Sequence, residues 1–205
     1  MREVSKKLII FLLPLILLYS CTNATGVNID YENILVRVND DFIYRERVDL
    51  VYIDFEGTVT YERIVMDSIL ELLVVQKSPY FGISLSEEEL QGMINLFEEM
   101  EPEFFYDAIE TFGIYELREK LRIRNLFSMT KDYVIENVLF PYGEIPTEAT
   151  RRFIDENNLT EQLAHFTYAQ ILNDLGIEVV EFTFRRWMEG LKANADIGFI
   201  GFSPS

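Results

Sequence analysis

Val36-Arg37-Val38-Asn39-Asp40-Asp41-Phe42-Ile43 is the stretch on which the fold depends. Leu35 to Val38 alternates apolar with polar, Asn39-Asp40-Asp41 offers residues suited to a tight reversal, and Phe42-Ile43-Tyr44 resumes an extended pattern. Alternation on both sides of a short polar break predicts a β-hairpin. Near the other end, Asp196 to Phe202 alternates again through Ile197 and Phe199, with Ile200 beside it, and reads as a closing strand.

Between these segments the apolar residues recur at helical spacing. Arg45 to Asp54 carries Val48, Val51 and Tyr52, with Gly57 as a break, and a longer helix over Tyr61 to Lys77 places Ile64, Val65, Ile69, Leu72 and Leu73 on one side. Ser78-Pro79 ends it, because proline disfavours helical geometry in the residue before it. Ser86-Glu87-Glu88-Glu89 is a capping signature: Ser86 covers free amides, Glu89 reaches back, and the acids suit the positive end of the helix dipole. It predicts a helix from Glu87 to Met100. A short helix from Pro102 closes at Gly113, and the longest helix runs from Tyr115 to Val138. Thr147 to Glu156 follows the Pro141, Gly143 and Pro146 interruption. A helix after Thr160 is expected to stop at Gly176, and another to cover Phe182 to Asn194. The fold class is mainly α: a multi-helix domain with a small antiparallel sheet joining the N-terminal hairpin to the C-terminal strand.

Composition removes several kinds of chemistry. With 35 Asp plus Glu against 18 Lys plus Arg, the formal charge of −17 argues against nucleic-acid binding, which needs a basic face. One His and one Cys cannot build a zinc finger or an internal disulfide. Hydrophobic residues at 49% exclude a disordered chain. No cofactor and no metal is expected.

Arg2, Lys6 and Lys7 precede a 12-residue apolar run from Leu8 to Tyr19. A membrane-spanning helix needs roughly 20 residues, so residues 1–20 read as a secretory signal peptide. Leu18-Tyr19-Ser20-Cys21 resembles a bacterial lipobox with Tyr19 at an unusual position, which makes the single cysteine, Cys21, the expected lipidation site. More than one acyl chain, at about 0.8 kcal/mol per buried methylene, gives a stable anchor. Processing removes a net charge of +2 (Arg2, Lys6 and Lys7 against Glu3), taking the charge from −17 to −19 over the remaining 185 residues. Residues 21–33, polar and without apolar period, read as a lipidated tether.

Four segments resemble the chaperone domain of the SurA, PrsA and parvulin-associated family of periplasmic proteins. Val36 to Ile43 resembles the hairpin "V-x-V-N-G-x-x-I", with Asp40 where glycine is usual. Gly82-Ile83-Ser84-Leu85-Ser86-Glu87-Glu88-Glu89-Leu90 resembles "G-I-x-V-S-x-E-E-V", followed by Phe112-Gly113-Ile114 and the basic helix Leu117 to Leu126. Ile145 to Asn157 resembles the helix leading out of that domain, and Phe184 to Ile197 its returning helix and strand, "W-L-x-x-L-x-x-x-A-x-I". The resemblance implies one domain over residues 34–205, made of an N-terminal segment 34–157 and a returning segment 158–205, and together with the alternation it implies that the closing strand at Asp196 to Ile200 hydrogen-bonds with Leu35 to Val38 and joins the two ends of the domain. The family's catalytic module would sit between Asn157 and Phe184, too few residues to contain one. Ala164-His165-Phe166-Thr167 is similar to its start, but His165 is the only histidine.

The resemblance implies a lipid-anchored cell-envelope holdase that binds unfolded or translocated envelope proteins without ATP and is not an enzyme. The alternatives are a docking lipoprotein for one defined envelope partner and, third, a catalytically dead prolyl-isomerase relative. Thr22 stands where an aspartate would favour inner-membrane retention, so the expected location is the periplasmic face of the outer membrane. Met66, Met93, Phe97, Met100, Phe104, Phe105 and Phe127 are the candidate client-binding residues, because adaptable Met and aromatic surfaces suit partners without fixed shape. The same residues at the same spacing would equally serve a buried core. The acidic runs Glu87 to Glu89 and Glu98 to Glu101 read as solvated caps and faces. The basic set Arg118 to Lys131 reads as partners for neighbouring carboxylates.

Overall fold

In the computed structural model, which describes residues 32–54 (backbone alone at 53 and 54) and 59–204, strand β1 (Ile34–Val38) is flanked on both edges. The signal segment, Cys21 and nearly all of the tether lie outside the described residues. Strand β2 (Asp41–Tyr44) pairs antiparallel with one edge of β1, and β3 (Ile197–Phe199) with the other, giving the order β2-β1-β3. The closing strand therefore joins the hairpin, as its alternation and the family resemblance together imply, with Val36 opposite Phe199 and Val38 opposite Ile197. The regular strand is shorter than the expected Asp196 to Phe202, but Ile200 and Gly201 both donate to the Leu35 carbonyl, at 2.9 and 3.2 Å.

Strict alternation in β1 would bury every second residue, yet Ile34, Leu35, Val36 and Val38 are all buried. The register shifts between Ile34 and Val36. A bulge inserts Leu35 as an extra residue, which turns the strand and lets three successive apolar side chains enter the core. At the hairpin, Asn39 takes the left-handed conformation with φ of +55°, which asparagine tolerates better than most residues. Its N–H donates to the Asp196 carbonyl at 2.7 Å, its Oδ1 accepts from the Asp196 N–H at 3.0 Å, and its Nδ2 donates to Gln76 Oε1 at 2.7 Å. Gln76 Nε2 in turn donates to the Val38 carbonyl at 3.0 Å. One turn residue thus ties together the hairpin, the C-terminal segment and a helix end.

Six α-helices account for most of the other described residues: α1 (Arg45–Asp54), α2 (Tyr61–Val75), α3 (Glu87–Met100), α4 (Pro102–Val134), α5 (Thr147–Glu156) and α6 (Tyr168–Ala193). Thr60 caps α2, and Ser86 with Glu89 forms the capping box expected for α3. The two helices read on either side of Gly113 are both present as arms of α4, and the helix is interrupted and kinked at that residue, whose φ of +84° and ψ of +155° only glycine adopts without strain. Its C-terminal end widens into a π-type turn at Ile135–Leu139.

The expected break at Gly176 is absent, and α6 runs through it. Glycine inside a helix costs about 1 kcal/mol relative to alanine, less than the packing around it supplies. Ile171 and Val179 are buried on either side, and Ile145 lies 3.6 Å from where a Gly176 Cβ would sit. The helix starts at a capping box of Thr167 and Gln170, later than the start expected after Thr160.

Residues Asn33–Ser205 form one compact unit with three apolar clusters. One joins the sheet to α1 and α2 through Leu35, Val36, Val48, Val65 and Ile69. A second holds α3 against both arms of α4, with Leu90, Ile94, Phe105 and Leu117 meeting Leu50 of α1. The third packs Val74, Val134 and Phe184 where α2, α4 and α6 meet.

Gly201 fills a site with no room for a side chain: a Cβ there would stand 2.6 Å from the Ile34 carbonyl oxygen. Gly201→Ala is expected to destabilise the domain by about 1–3 kcal/mol by forcing the C-terminal segment off β1. Gly198→Ala, where the nearest atom is a flexible Arg37 guanidinium nitrogen at 3.5 Å, should cost far less. Urea unfolding of both variants measures the difference.

Candidate functional site

Helix α2 has one stripe in the core, and the neighbouring surface of the same helix opens onto space. Ile64, Val65, Ile69, Leu72 and Leu73 are buried as the spacing predicts. Leu70, between two of them, points instead into a cavity of about 630 Å³ that also borders Val51, Val59, Met66, Phe127 and Met188. A second cavity of about 350 Å³ shares Val51, Ser68, Glu71 and Phe127 with the first and continues to Ile43, Leu72 and Ile123. Together they form one groove walled by α1, α2 and α4, with α6 along one side. Leu70 and Ile123 line it without belonging to any of the three apolar clusters. Apolar side chains in such positions are available to a ligand at little cost to the fold.

The candidate client residues separate into two places. Met66 and Phe127 line the groove. Phe97, Phe104 and Phe105 meet at the α3/α4 junction, with Phe97 ring centroids 5.8 and 6.0 Å from those of Phe104 and Phe105. Phe105 is core at 4% exposure, Met93 is half-buried on α3, and Met100 is 68% exposed at its end. Periodicity could not make this division, because each residue sits on an apolar stripe of its own helix.

Of the carboxylates that border the groove, Glu71 is the half-buried one. Glu71 belongs to the apolar run Ile69-Leu70-Glu71-Leu72-Leu73 and is not among the candidates drawn from the sequence. A lone acid within such a run was the available signal. Burial raises its carboxyl pKa, and this outweighs the opposing pull of Arg124, Arg47 and Lys120, while Asp67 acts with burial. Arg47 also faces Glu116 across 3.9 Å, and neither Arg47 Nε nor Glu116 Oε2 has a hydrogen-bond partner among the described residues. Burial likewise raises the Glu116 pKa.

The basic residues of α4 divide between pairing and the groove. Arg118 and Arg122 clasp Glu87 at 2.7 and 2.6 Å, fastening α3 to the second arm of α4, and Lys131 holds Glu181 of α6 at 2.7 Å. Lys120 and Arg124 are on the groove wall. Exposed His165 lies on the irregular segment before α6, far in sequence from the groove residues. Among the described residues no cluster of three or more His, Cys, Asp or Glu could hold a metal, and no helix is long and apolar enough to cross a membrane.

The raised pKa of Glu71 makes its contribution to stability depend on pH. The folded chain binds this proton more tightly than the unfolded chain, so the contribution is complete below the ordinary carboxylate range and is lost as pH rises through the raised value. Glu71→Gln removes that loss. Its Tm relative to the parent should therefore rise between about pH 4 and pH 8, as thermal melts across that range would show.

No model of a known protein family matches the chain, and no match to a curated protein was found, so its function has to be inferred from the groove itself.

Proposed function

We propose that the protein is a holdase of the cell envelope, anchored through a lipid on Cys21 and shielding apolar stretches of unfolded or translocated polypeptides in the groove beside α2. The observation that carries the reading is the pair of joined cavities, about 630 and 350 Å³, lined by Leu70, Met66, Phe127, Met188 and Ile123. Methionine, leucine and phenylalanine walls adapt to side chains of many shapes, which an unfolded client requires. A binding cycle of this kind needs only the exchange of apolar surface between water and groove, so it runs without ATP. The likeness of the hairpin, the Ser86 junction and the returning helix to the SurA and PrsA chaperone domain agrees with it.

A dedicated docking lipoprotein is the second reading. Its support is the α3/α4 tip, where Leu96, Met100 and Tyr106 are 56, 68 and 58% exposed. A fixed partner would cover that patch, whereas a client would enter the groove.

The full-length chain at stoichiometric amounts should suppress aggregation of a diluted, unfolded outer-membrane protein without nucleotide. Leu70→Glu should lose most of this protection while keeping its fold, because Leu70 belongs to no apolar cluster among the described residues. Protection equal to the parent's would move binding away from the groove, and no protection by the parent across several clients would favour the docking reading. Cys21→Ser should shift the protein from the membrane fraction on cell fractionation, and retention equal to the parent's would remove the anchor.

A further inference from the structure

Among the described residues, the walls of the groove have the opposite charge balance from the protein. The whole chain carries 35 acidic and 18 basic residues. Among the described residues, the two joined cavities are bordered by six cations, Arg47, Arg63, Lys120, Arg124, Arg185 and Lys192, against the three carboxylates Asp67, Glu71 and Glu189. Two of these cations are already matched within the groove: Arg63 meets Asp67 at 2.8 Å and Lys192 meets Glu189 at 3.8 Å. Arg47 has Glu116 from outside it. Of the six, Arg124 and Arg185 form no ion pair among the described residues. A mouth rich in cations over an apolar floor, set in an acidic surface, focuses positive potential at one entrance.

We propose that the groove selects apolar polypeptide segments that carry acidic side chains, with Leu, Met or Phe seated on the Leu70, Met66 and Phe127 floor and Asp or Glu meeting Arg124 and Arg185 at the mouth. The inference rests on the client-binding reading and specifies its substrate class. Charge complementarity argues for this occupant: a basic segment would be drawn to the acidic surface elsewhere and repelled at the groove. A neutral apolar segment would leave Arg185 unanswered and Arg124 with Glu71 alone. Pairs at such an exposed mouth act mainly on selection and association rate.

The test uses the full-length chain and three fluorescent peptides that share one Leu/Phe pattern and differ only in having Glu, Gln or Lys between the apolar residues. Fluorescence anisotropy should show the Glu peptide binding on the order of tenfold more tightly than the Gln peptide, and the Lys peptide weakest, with the spread narrowing as salt is raised. Arg124→Gln combined with Arg185→Gln should bring the Glu peptide to the Gln level, and the corresponding Lys pair should retain the preference. Equal binding of all three peptides would overturn charge selection and leave the client reading standing, whereas no binding of any peptide would overturn both. A Glu preference unchanged in the double Gln variant would place selection outside this mouth and overturn the proposal. Anionic phospholipid vesicles that displace the Glu peptide, where neutral vesicles do not, would assign the cations to a membrane surface and overturn it as well.

Discussion

Strand β1 is paired on both edges, and that constraint holds the remainder of the domain in place. A central strand needs partners for its amides and carbonyls on each side. Here one partner follows it immediately and the other arrives more than 150 residues later, as the register of Arg37 with Gly198 shows. The sheet closes only when the C-terminal segment returns, so α6 must end beside the hairpin, and α2 becomes the element around which the others pack. The bidentate contact of Arg37 with Asp196, at 2.8 and 3.0 Å, and the bonds of Asn39 mark the closure. The ion pair is exposed and contributes little energy by itself. Burial of Ile34, Leu35, Val36 and Val38 beneath it stabilises the closure more, because each removes a whole apolar side chain from water.

Around this closure the helices leave a gap. α2 gives one face to the sheet and to the α4/α6 contact, and the directions from which α1, α4 and α6 approach it prevent them from covering the side that carries Leu70 and Glu71. Phe127 spans the two environments, touching Phe184 of the third cluster at a ring distance of 6.2 Å while lining both cavities. The floor of the groove is thus the outer surface of the core, firm where it meets buried residues and adaptable where methionines reach it.

The charges follow the same division. On α3 and α4 the arginines are used to fasten helices, with Glu87 serving two of them at once. Just beyond Arg122 on α4, the same residue type faces open space at Arg124. Spacing places Arg118, Arg122 and Arg124 on one helix, but only the approach of α3 from one side makes the first two structural and leaves the third at the groove.

Local chemistry made much of this architecture legible. Asn39 at the reversal, Ser86 with Glu89 at a helix start and Gly113 at a bend each act within a few residues, so their consequences can be read along the chain. The alternation around Ile197 pointed to a third strand, and the family resemblance to its partner. Elsewhere the deciding contacts come from distant parts of the chain. Gly176 would end an isolated helix, and burial of Ile171 and Val179 carries α6 through it. Leu35 breaks strict alternation because a bulge lets the core take it. Leu70, Ile123 and Glu71 have the composition of ordinary helix residues, and whether each meets core, cavity or water depends on how four helices cross. Periodicity along a chain determines which side of a helix is apolar. Only the tertiary arrangement determines how much of that side is covered, because covering it takes residues from elsewhere in the sequence.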